Sequence, residues 1–148
     1  MIEPARVRLT GTLSVGLPPA ETLQLFTATG ERRWVEGWDP GFPAGSEEDG
    51  EPGSVFTSAH GGQITVWVVM RSELGKGISY ASIRQGERAG TLAIDCAAAA
   101  DGVATTVTVT WDMTSLVPED RPGLAAFAAG YPAMLAGWER AIAAAIGG

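Results

Sequence analysis

The chain contains one histidine, His60, and one cysteine, Cys96. Chemistry that needs a nucleophile beside an imidazole, or several His, Cys and carboxylate ligands converging on a metal, therefore has little to build with. His60 precedes Gly61-Gly62 and reads as an exposed turn residue, with a proton donor or acceptor at a pocket rim as its functional alternative. Cys96, flanked by Ala97 and Ala98, reads as a small packing residue, and a lone cysteine forms no internal disulfide. No Gly-x-Gly-x-x-Gly or Gly-x-x-x-x-Gly-Lys-Ser/Thr pattern occurs among the 20 glycines. Nucleotide cradles are unsupported, and neither a metal nor a cofactor is expected. Gly75-Lys76-Gly77 reads as a turn carrying the only lysine.

What remains are polar and aromatic residues on strands, the groups that orient an apolar ligand in a concave site. Trp67, Val69 and Arg71 share one face of an alternating run, and Ile64, Val66, Val68 and Met70 share the other. The alternation does not say which face is inward. If Trp67 points inward, a strict period of two carries Arg71 with it, and a guanidinium there needs a carboxylate or a ligand anion. The alternative is an outer-face Arg71 paired with Glu73 or Asp95. Tyr80, in step with Ile78 and Ser82, offers a phenol to a ligand or a satisfied hydroxyl to the core. Asp95 alternates with Thr91 and Ala93 and should face water. Glu36, between Trp34 and Trp38, is the better carboxylate for a pocket mouth, with a solvated face as its plainer reading.

The elements that position these residues follow from periodicity. Val7, Leu9, Leu13 and Val15 alternate with polar residues in a half-buried strand. Gly11 interrupts its apolar face, either bending the strand or admitting a close neighbour. Pro18-Pro19-Ala20-Glu21 starts a short helix, with Leu23, Phe26 and Val35 inward from one or two helical turns that end before Trp38. Residues 39–53, with Ser46-Glu47-Glu48-Asp49-Gly50-Glu51-Pro52 at their centre, read as a solvated loop. Five strands follow, over 54–60, 63–72, 77–85, 88–98 and 103–115, with hairpin turns at Gly61-Gly62 and Asp101-Gly102. In the last strand Val103, Val107, Val109, Trp111 and Met113 form the buried face. From Pro118 to Ile146, Leu124, Phe127, Tyr131, Met134 or Leu135, Trp138 and Ile142 make one helical stripe, which Pro132 should kink.

This order predicts an α+β fold, a curved antiparallel sheet wrapped around a long C-terminal helix with a cavity between them. At 148 residues, 45% hydrophobic and 18% charged, the chain is expected to form one domain over 1–148. A formal charge of −7 with scattered arginines excludes nucleic acid as the expected partner. No window approaches a membrane span and the first residues lack a secretory pattern, so a cytoplasmic location is expected. Nine arginines against one lysine, without asparagine, suit a GC-rich bacterial source.

The chain resembles the START-like SRPBCC superfamily, which includes polyketide cyclases and dehydratases, lipid-transfer domains and activators of a heat-shock chaperone ATPase. The resemblance is carried by the opening strand and Leu17-Pro18-Pro19-Ala20-Glu21-Thr22-Leu23-Gln24-Leu25-Phe26, by Trp34-Val35-Glu36-Gly37-Trp38-Asp39-Pro40, by Thr65-Val66-Trp67-Val68-Val69, and by Met134-Leu135-Ala136-Gly137-Trp138-Glu139. It implies a helix-grip fold of six or seven strands with an apolar pocket walled by Val7, Leu9, Leu13 and Phe56, by Val107, Val109 and Trp111, and by Phe127, Tyr131 and Leu135. Trp38 would lie at the mouth. The implied function is binding of a small hydrophobic ligand: a lipid, a polyketide or an aromatic metabolite. Trp38, Trp67, Arg71, Tyr80, Trp111, Phe127, Tyr131 and Leu135 are the expected ligand-binding residues. One alternative is a cyclase- or dehydratase-like enzyme in which Arg71, Tyr80 or His60 polarises a carbonyl and moves a proton. A second is a protein-interaction module with a protein partner.

Overall fold

A computed structural model describes residues 3–45, 47 and 50–147. Six strands form one sheet: β1 (Arg6–Val15), β2 (Val55–His60), β3 (Gln63–Glu73), β4 (Gly77–Arg84), β5 (Arg88–Ala98) and β6 (Thr105–Ser115). Their spatial order is β1-β6-β5-β4-β3-β2, and every neighbouring pair is antiparallel. Helix α1 (Pro19–Gln24) and a 3-10 turn (Gly30–Arg33) follow β1. After β6 come a second 3-10 turn (Pro118–Asp120), helix α2 (Arg121–Ala129) and helix α3 (Tyr131–Gly147). This is the α+β architecture that the pattern of alternation implies, with six strands.

The core is the inner face of the sheet. Val107 and Val109 on β6 are completely buried, Ile94 stands opposite Val109 on the adjoining β5, and Ile78 on β4 and Val69 on β3 continue the buried face. Each such side chain contributes roughly 1.5–3 kcal/mol of gross transfer energy. Helix α3 closes on β1 because Gly11 carries no side chain: a Cβ there would press on Leu135 and approach Tyr131. The Tyr131 hydroxyl donates to the Val109 carbonyl at 2.6 Å and fixes the helix to β6. On the free edge of β1, the Ser14 amide donates to the Glu139 carboxylate of α3 at 2.6 Å, which occupies a strand-edge donor otherwise open to pairing.

Four expectations are corrected. The C-terminal segment is two helices rather than one kinked helix. It breaks at Gly130, and Pro132 stands in the first turn of α3, where its missing amide interrupts no helical bond. Val103 precedes β6 and is 65% exposed, because Asp101 accepts the Val103 and Ala104 amides and turns the chain there. The loop 39–53 is not wholly solvated. Pro40 is buried, Gly41 pairs with Thr57, and Phe42 packs on Phe56; Ser46, Glu48 and Asp49 lie outside the described residues. Strand β3 also departs from strict alternation. Val69 stands opposite Tyr80 and Arg71 opposite Ser79, so Met70 is a bulge.

Candidate functional site

Helix α1 is short, and the carbonyls just beyond it have no helical partners. Aromatic side chains satisfy them. Trp34 Nε1 donates to the Leu25 carbonyl at 2.7 Å, Tyr80 Oη to that of Phe26 at 2.8 Å, and Trp38 Nε1 to that of Ala28 at 2.7 Å. The rings tied in this way turn toward the inner face of the sheet. There they join Phe56, which stacks on Trp67 with centroids 6.0 Å apart and meets Tyr80 edge-on at 5.7 Å. Trp67 in turn packs on Trp111 at 6.1 Å.

Trp38, Phe56, Trp67, Tyr80 and Trp111 line a partly open cavity of about 210 Å³. Seven of its eleven lining residues are aromatic, with Leu92 and Ile94 at the back and Trp138 of α3 as the roof. Phe26, Val35 and Trp38 form the side nearest α1. The donors of Tyr80, Trp38 and Trp67 are engaged, the last with Ser58 Oγ at 2.9 Å. Trp111 Nε1 is buried and lacks a hydrogen-bond partner among the described residues.

Among the described residues one carboxyl lines this aromatic space, that of Glu31. The 3-10 turn places it. A Cβ on Gly30 would overlap the Gln24 carbonyl oxygen, so the glycine lets the turn fold back onto α1. The Glu31 carbonyl then accepts the Trp34 and Val35 amides at 3.2 and 2.8 Å. The Glu31 side chain has neither hydrogen-bond nor ion-pair partner among the described residues, and burial pushes its pKa up to about 8. A carboxyl in that state carries a proton at neutral pH and gives it up when a cation or a base arrives.

Of the expected ligand-binding residues, Trp38, Trp67, Tyr80 and Trp111 lie together on this cavity. Arg71 does not. The bulge at Met70 reverses the polarity of the strand beyond it, and the guanidinium lies on the outer face, bonded to Asp95 at 2.9 Å and Glu73 at 3.4 Å. The two carboxylates hold it charged. His60 is exposed at the β2–β3 turn. Phe127 borders a second compartment of about 230 Å³, beyond the Trp67–Trp111 pair, where Arg84 and Arg88 are the charged groups. Tyr131 and Leu135 are buried in the seam between α3 and β1. Leu13, Val107 and Val109 are solid core, and Val7 and Leu9 pack at its margin; of the expected pocket wall, Phe56 and Trp111 line the cavity. Glu36 is exposed. The carboxyl in the cavity is five residues earlier, in a turn too short to show periodicity, and the tight Gly30 was the only signal for it. Cys96 is half-buried, and burial together with Asp95 raises its pKa to about 11, which keeps it a thiol. No group of three or more metal-ligating side chains occurs among the described residues, and no described helix is long and apolar enough to cross a membrane.

A curved six-stranded antiparallel sheet gripping a C-terminal helix is the helix-grip fold, as the START-like resemblance implies. No family model matches the chain, and no curated protein matches it. Solved structures do. The major latex-like protein 151 of Panax ginseng superposes with a TM-score of 0.67 at 14% identity, over 95% of this chain and 97% of that one. A protein from Mesorhizobium loti gives 0.65 at 14% identity, over 92% and 96%. DynU16, from the dynemicin biosynthetic locus, gives 0.61 at 18% identity, over 93% of this chain and 46% of its own. Identities this low establish the fold and leave the ligand to the cavity.

Proposed function

We propose that this protein binds a small, mainly hydrophobic, ring-shaped molecule in the cavity between the sheet and α3. The observation that carries this reading is the aromatic-walled space of about 210 Å³ with only one carboxyl in its lining among the described residues. Size narrows the choice among lipid, polyketide and aromatic metabolite. Ligand pockets commonly span about 300–1,000 Å³, while an apolar cavity of about 150 Å³ takes up benzene. A one- or two-ring molecule fits and a long acyl chain does not. Burying about 250 Å² of such a ligand is worth about 6 kcal/mol gross, from which the costs of association are deducted.

Native mass spectrometry of the purified protein, followed by fluorescence titration with small aromatic compounds, tests the proposal. Leu92→Phe, which adds bulk at the back of the cavity, is expected to weaken uptake at least tenfold while circular dichroism shows the fold intact. Equal binding by the filled variant would move the ligand elsewhere. Glu31 also favours a second reading, an enzyme in which this carboxyl relays a proton. Tyr80 has its hydroxyl committed to a backbone carbonyl, and Arg71 and His60 lie outside the cavity. Turnover of a carbonyl substrate that disappears in Glu31→Gln would establish that reading.

A further inference from the structure

We propose that the cavity selects small organic cations, a protonated amine or a quaternary ammonium group on an apolar frame of one or two rings. The inference rests on the binding function proposed above and concerns the charge of its ligand. Aromatic rings present electron-rich faces that attract cations, most strongly when water is excluded, and indole is the best of them. Here Trp38, Trp67, Trp111 and Trp138 supply four indoles to one small space. A carboxyl with no protein partner stands among them, and no Lys, Arg or His lines the space among the described residues. An anionic ligand would meet a carboxyl without a counter-charge. A neutral ligand would meet Glu31 only as a protonated hydrogen-bond donor and would leave the aromatic faces electrostatically unused.

Among the described residues, the charges around Glu31 are few. On its own turn Arg32 is bonded to Glu47, with N···O distances of 3.1 and 3.0 Å, and Arg33 is exposed. From β4 the only titratable group on the cavity is Tyr80, its hydroxyl donating to Phe26. The elements β2, β3, β5, β6 and α3 present Phe56, Trp67, Leu92 with Ile94, Trp111 and Trp138 there, none of which titrates. In the empty cavity Glu31 holds its proton up to about pH 8. A bound ammonium replaces that proton, which passes to solvent, so affinity for a cation rises with pH through the neutral range.

Three matched probes decide the matter by titration calorimetry: 2-phenylethylamine, 2-phenylethanol and 3-phenylpropionate. The amine is expected to bind at least tenfold tighter than the alcohol at pH 7.5. It should release close to one proton, read from two buffers of different ionisation enthalpy, and weaken about tenfold for each unit of pH lowered between 7.5 and 6. Glu31→Gln should cost the amine about 10- to 100-fold, the range of a charge-assisted hydrogen bond, and leave the alcohol unchanged. If the alcohol binds as well as the amine, and Leu92→Phe weakens both, the binding function stands and the cation preference is overturned. If none of the three binds, both are overturned. The pH dependence and proton release are read on the unmodified protein, so the result does not depend on the variant folding.

Discussion

The Glu31 carboxyl, set among the rings of the cavity, couples the stability of the empty protein to pH. In the unfolded chain Glu31 titrates near 4.5, and in the folded one near 8. Between these values the folded state holds a proton that the unfolded state lacks. The favourable contribution of the protonated form is therefore complete below pH 4.5, declines as pH rises, and is gone above about pH 8. Thermal denaturation from pH 5 to 9 should show Tm of the ligand-free protein falling toward pH 8, and Glu31→Gln should flatten that part of the slope. A parallel slope in the variant would assign the dependence to other groups. Glu31 was invisible to periodicity, since apart from Gly30 nothing about Thr29-Gly30-Glu31-Arg32 distinguishes an inward carboxyl from a solvated one. Trp38, Trp67 and Tyr80 were legible as aromatic groups near a concave face, but not the carbonyls that orient them.

Strands were the most legible elements, because one face of the sheet is buried and the other wet, so alternation survives in the sequence. Where the period breaks, inference failed with it. The extra residue at Met70 is compatible with every propensity in the run and moves Arg71 to the opposite face. The helices misled for a related reason: Pro132 was read as an interior residue, whereas Gly130 had already ended α2. One side-chain cluster ties the end of the sheet to the helices. Arg88 on β5 holds Asp120, just ahead of α2, through two hydrogen bonds of 3.1 and 2.8 Å, and Ser115 Oγ adds a third at 2.9 Å. Both ends of the pair are largely buried. Asp120→Ala leaves a buried guanidinium without its main partner and should destabilise by about 3 kcal/mol in urea denaturation. Removing Arg6, which makes an equally short pair with Asp112 in full view of solvent, should leave the midpoint where it is. Equal losses from both would show that burial does not set the worth of these pairs.

At the scale of the whole molecule, the Trp67–Trp111 pair divides the space inside the sheet into an aromatic compartment with a carboxyl and a second with two arginines. Occupation of the first should stabilise the fold by mass action. A ligand at one hundred times its Kd adds about 2.7 kcal/mol, or about 5–10 °C in Tm for a chain of this size. A scan that shows no shift at saturating ligand would mean that the unfolded chain binds it equally well. The helix-grip architecture was legible in its element order, because that order and the short turns leave few ways to cover one apolar sheet face. The cavity's contents were not, since they depend on which inward residues fail to touch one another. The Met70 bulge also bears on how such a protein can change over generations. Loss of that one codon would remove the bulge and leave Val69 opposite Tyr80 and Arg71 opposite Ser79, so strict alternation would return with Arg71 still on the outer surface. A lineage could thus lose a residue in the middle of the sheet without changing which side chains reach the interior, with every strand and helix of its ancestor still in place.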